Sequence, residues 1–134
     1  MRGGSRSDRL GRVLAVQQQK RKLAEWKLAE MVREEEALRA TEIELLDTLG
    51  RQSLMQGLFL DAKVSALRRN DLALRETQER QAAARGALTE IRRIEKRIER
   101  ATETAARADR SAAERVGLLE ALDEHLVAQA ASFK

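Results

Sequence analysis

The chain has 134 residues, 43% of them apolar, yet it holds two Phe, one Trp and no Tyr. That excludes a compact aromatic-rich core and spreads the apolar content as Leu, Ala, Ile and Val along extended elements. Charged residues make up 36%, proline is absent and the formal net charge is +4, which predicts an all-α chain of long helices or coiled coils with solvated faces.

Cysteine is absent, so disulfides, thiolate zinc sites and cysteine nucleophiles are excluded. No run reaches the roughly 20 apolar residues of a membrane span, and Met1 to Asp8 lack the apolar centre of a secretory signal. The expected compartment is the cytoplasm. Residues 1 to 30 carry 8 basic and 3 acidic side chains, residues 31 to 66 carry 4 and 7, and residues 67 to 134 carry 14 and 12. A basic beginning and an acidic middle each suit an oppositely charged partner.

In chain order, residues 1–7 are expected as a flexible tail, followed by a single coiled-coil domain over 8–134. A 4,3 spacing from Leu10 selects Leu14, Gln17, Arg21, Ala24, Leu28, Met31, Glu35, Leu38, Glu42, Leu45 and Leu49, the a/d positions of a helix seam. The first helix is therefore predicted over 8–49, with Ser7 or Asp8 capping its first turn. Gly50 and Gly57 flank a stretch where the seam fades. Each costs roughly 1 kcal/mol inside a helix, so the reversal is placed at 50–57. A reversal at Asn70–Asp71 is the rival, with Asn70 as cap.

The second helix is predicted over 58–130. Its apolar stripe runs through Leu88, Ile91, Ile94, Ile98, Ala101, Ala105, Ala108, Ala112, Val116, Leu119, Leu122 and Leu126 in steps of three or four. Asp71/Arg75, Glu76/Arg80 and Glu103/Arg107 are i, i+4 pairs in the favourable order. Gly86 and Gly117 are expected to cost stability without ending the helix. With the turn at 50–57 the first helix pairs with residues up to about 100. The last 30 residues then overhang, and Val116, Leu119, Leu122 and Leu126 form an exposed interaction stripe.

No residue reads as catalytic, cofactor-binding or metal-ligating, and no cofactor or small-molecule substrate is expected. His125 is the one histidine and reads as a solvated residue near a helix C-terminus. No glycine pattern forms a phosphate cradle. Glu34, Glu35 and Glu36 fan around a helix and read as a solvated face. Arg92, Arg93, Lys96, Arg97 and Arg100 alternate with Glu90, Glu95, Glu99 and Glu103 without aromatic neighbours, which argues against nucleic-acid binding. Trp26 falls about 200° around the helix from Ala24, as an anchor for a partner or an incidental surface residue. Phe59 sits in an apolar run after the glycines, as a cover over the turn or a binding tip.

The runs Leu10-Gly11-Arg12-Val13-Leu14-Ala15-Val16-Gln17 and Ala24-Glu25-Trp26-Lys27-Leu28-Ala29-Glu30 resemble the opening helix of the flagellar export protein FliJ family and its YscO relatives in type III secretion. The missing proline, the seam from Leu10 to Leu49 and the reversal into Gly57-Leu58-Phe59 are similar to that family too. The resemblance implies an elongated antiparallel two-helix coiled-coil hairpin, similar to the central stalk of rotary ATPases. It also implies a non-enzymatic role inside a hexameric export ATPase, with contacts to an export-gate membrane protein and to export chaperones, peripheral to the inner membrane. The residues expected to meet partners are Leu10, Val13, Leu14, Trp26, Phe59, Val116, Leu119, Leu122 and Leu126. A self-associating structural coiled coil, or a nucleic-acid accessory protein, are the competing readings.

Overall fold

The computed structural model describes residues 4–51 and 59–132. Two helices, α1 (Arg6–Gly50) and α2 (Leu60–Ser132), pack against each other, with no strand among the described residues. Of the expected turn, Gly50 closes α1, and the Arg51 amide donates to the Asp47 carbonyl at 3.2 Å. Residues 52–58 lie outside the described residues. Asn70, the rival turn, is buried inside α2 and donates its side-chain amide to the Leu38 carbonyl at 2.9 Å.

The expected cap at Ser7 or Asp8 is corrected. α1 starts two residues earlier because Ser5 caps it. Ser5 Oγ accepts from the Asp8 amide at 3.3 Å, and Asp8 Oδ2 accepts from the Ser5 amide at 3.2 Å. This reciprocal pair satisfies two N–H groups that the first turn would leave open, and Gly4 enters it with φ +72°. Arg6 and Ser7, assigned to the tail, are helical.

By its internal contacts the chain divides into two units, Met1–Gln18 with Arg93–Lys134, and Gln19–Arg92. In the second unit, Arg21, Ala24, Leu28, Met31, Glu35, Leu38, Glu42, Leu45 and Leu49 of α1 are all half-buried. The opposing stripe of α2 runs Leu67, Asn70, Leu74, Thr77, Gln81, Ala84, Leu88, Ile91, again in steps of three and four. Leu74 and Leu88 are its buried apolar members, beside the buried polar Asn70, Thr77 and Gln81. Antiparallel pairing follows from the cross-helix bonds, since Leu38 meets Asn70, Glu34 meets Arg80, and Glu25 meets Arg92.

In the first unit, Leu10 and Leu14 are half-buried and Gln17 is buried on α1. Glu95, Ile98, Thr102 and Ala105 carry the packed side of α2. Ile94, assigned to the stripe, is 41% exposed, while its neighbour Glu95 is 6% exposed. A strict 4,3 step from Ile91 lands on 95 and 98. The helix obeys that geometry even where it buries a carboxylate.

Among the expected pairs, Asp71–Arg75 forms at 3.1 Å and Glu103–Arg107 at 2.6 Å, whereas Arg80 crosses to Glu34 of α1 at 3.0 Å. α2 runs unbroken through Gly86 and Gly117, and a Cβ added at either would meet nothing within 4 Å. Gly86→Ala should therefore raise stability by about 0.5–1 kcal/mol, because the folded helix accepts the methyl and the unfolded chain loses freedom. A urea titration followed by helical circular dichroism checks this; an unchanged or lower midpoint would contradict it.

Candidate protein-interaction surfaces

The first unit ends in a helix that has outrun its partner. Arg6, where α1 begins, lines a shallow groove with Arg100, Ala101, Thr104, Ala105, Ala108 and Asp109 of α2. From Arg110 to Ser132 every residue is exposed. The overhang thus begins a few residues later than the last 30 expected. α1 starts at Arg6 rather than 8, which lengthens the paired stretch, and α2 at Leu60 rather than 58, which moves the residues that face α1 further along α2.

Val116, Leu119, Leu122 and Leu126 lie on this overhang with 52–57% of their surface open. At about 100° per residue, Ala112, Val116, Leu119 and Leu126 fall within roughly 80° of one another. They continue the line of Ile98, Thr102 and Ala105, so the face that packs on α1 lower down carries on without α1. Leu118 and Val127, at 72% and 70% exposure, widen it. Both were absent from the expected set because a strict stripe skips them, although they are apolar and adjacent. Glu120, Asp123 and Glu124 are the charged residues of 117–132, with no Lys or Arg among them.

The structure does not bring the other expected residues to this face. Leu10 and Leu14 are half-buried in the helix pair, while Val13 is 50% exposed. Trp26 (58% exposed) and Phe59 (62%) belong to the second unit. Trp26 borders a shallow depression with Lys27, Glu30, Met31, Arg33 and Glu34, where both signs of charge meet.

The second unit carries a groove that sequence reasoning missed. Lys20, Leu23, Ala24, Lys27 and Met31 of α1 face Ala84, Ala87 and Ile91 of α2. Its lining holds two lysines and no carboxylate. Leu23 is 52% exposed within it, and the alanines leave room for a further side chain between the helices. The signal lay in Ala84 and Ala87, small residues in and beside the seam of α2 that line the groove with Leu23. On the other side of the pair, the groove of Leu28, Ala29, Val32 and Leu88 is rimmed by Glu25, Arg33, Glu36 and Arg92.

The second unit also concentrates electrostatics at Glu35, which the 4,3 register placed in the seam and the Glu34–Glu36 run on a solvated face; the register is the reading that holds. Glu35 keeps 18% of its side-chain exposure. Gln81 Nε2 donates to its Oε2 at 2.9 Å, and Arg39 and Gln78 donate to its Oε1 at 2.9 and 3.2 Å. These donors, Gln81 first, hold the carboxyl at about 2 against the opposing effect of burial. Glu25 is lowered chiefly by the hydrogen bond from Arg21 at 3.1 Å. Burial opposes the shift and Arg92 at 3.3 Å adds to it. Both arrangements tie side chains within and across the helix pair, and Glu25 with Arg92 also rims the groove of Leu28, Ala29, Val32 and Leu88.

Among the described residues, no group of three or more His, Asp or Glu is placed to hold a metal, and no helix is long and apolar enough to cross a membrane. No family model matches the chain, and no curated protein or solved structure matches it significantly.

Proposed function

We propose that the chain is a non-catalytic component of a flagellar or type III protein-export apparatus. In this reading it serves as stalk of the hexameric export ATPase and as escort for export chaperones, peripheral to the inner membrane at the export-gate protein. The observation that carries the protein-binding part is the overhang. A helix of 23 residues, 110–132, extends beyond its partner with its apolar stripe uncovered, and a surface of that kind marks an interaction site. The export apparatus comes from the resemblance of the Leu10–Gln17 and Ala24–Glu30 runs to the FliJ and YscO family. Contacts that must change as a ring turns favour charged surfaces over a fixed apolar interface. The exposed ion pairs that cross the pair, such as Arg80–Glu34 and Arg92–Glu25, keep those edges polar.

The test is retention of partners on the tagged full chain in lysate of its source organism. A hexameric secretion ATPase or an export-gate subunit should be recovered, and a bait ending at Asp109 should lose at least one of them. Every residue of 110–132 is exposed, so the shortened bait should unfold at a nearly unchanged urea concentration. Recovery of the chain alone would overturn the export reading and favour a self-associating structural coiled coil. Recovery of nucleic acid with steeply salt-dependent affinity would favour the accessory reading.

A further inference from the structure

Among the apolar surfaces that the described residues leave open, the lysine-lined groove of the second unit and the overhang of the first carry opposite charges. The groove presents Leu23, Ala84 and Ala87 between Lys20 and Lys27, seven residues apart on one face of α1. Neither lysine is in an ion pair among the described residues, and no carboxylate lines the groove. The distal half of the overhang, 117–132, presents Leu119, Leu122 and Leu126 with Glu120, Asp123 and Glu124 and no compensating cation. At about 100° per residue the three acids fall within roughly 100° of each other, on one flank of the leucines. A helix with a leucine stripe and an acidic flank is the occupant that an apolar groove bracketed by lysines selects.

We propose that this groove is a docking site for the 117–132 helix of a second copy of the chain. Leu119 and Leu126 lie against Leu23 and the alanines, and the acids face Lys20 and Lys27. The contact covers the apolar stripe of the overhang when no other protein does. It is an additional site, independent of whether the chain serves an export apparatus.

Sedimentation equilibrium of the full chain over a wide concentration range tests it. The wild type should show a mass that rises with concentration and a self-affinity that weakens with added salt. Lys20→Glu with Lys27→Glu should weaken self-association about tenfold, as should Glu120→Lys with Asp123→Lys and Glu124→Lys. All five residues are exposed, so helicity and the urea midpoint should stay unchanged in both variants. The five substitutions combined in one chain invert both faces and should restore association. A constant monomer mass would overturn the proposal. So would association indifferent to either set of substitutions, or losses that the combined chain fails to restore, since the contact would then join other surfaces.

Discussion

Leu88→Ala is expected to lower the free energy of unfolding by about 2–3 kcal/mol, the lower part of the range for a buried leucine. Leu88 is 4% exposed and, with Leu74 and Ala105, is one of three buried apolar residues among those described. It sits at the floor of a groove shared with Leu28, Ala29 and Val32 of α1. Alanine keeps the helix propensity of leucine, so the loss reports packing between the helices and not the stability of α2 alone. The cost stays below the maximum because a two-helix layer can relax, and water can enter from the groove where a deep core would retain a void. A domain of this kind has few other apolar anchors, so a loss of that size is a large share of a total of about 5–15 kcal/mol. The check is the urea midpoint by circular dichroism at a concentration too low for self-association. Leu88→Met is the comparison that keeps the volume and should cost under about 1.5 kcal/mol. Equal midpoints for the alanine variant and the wild type would show that the helices do not pack through Leu88.

The seam of α1 was legible because its leucines fix the frame. Leu10, Leu14, Leu28, Leu38, Leu45 and Leu49 leave one 4,3 register, and it carries Gln17, Arg21, Glu35 and Glu42 onto the inner face whatever their polarity. All twelve positions are half-buried or buried. The first half of α2 was not legible in the same way. Asn70, Thr77 and Gln81 are polar, so a search for apolar recurrence begins only at Leu88, although stepping backwards from Leu88 by four and three reaches Ala84, Gln81, Thr77, Leu74 and Asn70. The choice of Ile94 over Glu95 is the same preference for chemistry over geometry. Ser5 falls in the stretch expected as a flexible tail, yet Ser5-Arg6-Ser7-Asp8 carries the serine and acid spacing of a capping box. The overhang was legible in kind, because a long second helix must outrun a short first one. Where it begins depends on the ends of both helices, and end positions are weakly encoded in sequence. The lysine groove depends on which side of each seam a residue lies, a relation across two helices that neither helix states alone.

The polar centre of the second unit yields the remaining prediction, which turns on pH. The folded value of Glu35 is about 2, against an ordinary value of 4.5. A carboxyl held below its unfolded value contributes stability that is complete above about pH 4.5 and is lost as pH falls towards 2. Glu35→Gln cannot titrate, and its amide nitrogen would face the donors from Gln81, Arg39 or Gln78. That variant should melt below the wild type at pH 7, and the gap should close between pH 4.5 and 2. Thermal melts at steps across this window separate Glu35 from the other carboxylates, because those titrate in both proteins and cancel in the difference. A gap that stays constant with pH would show that the carboxylate charge contributes nothing to the packed state. Replacing both partners, Glu35→Leu with Gln81→Leu, should have the opposite sign at pH 7. Two seam positions then become apolar, and the donors that lose their acceptor, Arg39, Gln78 and Arg85, are exposed and turn to water, a change that is often neutral or stabilising. The loss should appear in register, because Gln81 binds Glu35 and the Met31 carbonyl at 2.9 and 3.4 Å, and a leucine there accepts a helix shifted by one heptad as readily as the native one. Disulfide trapping between cysteines placed at Leu38 and Asn70, in a chain with no cysteine of its own, reads this directly. Trapping should be efficient with the native Glu35 and Gln81 and should fall when both are leucine, even as the melting temperature rises.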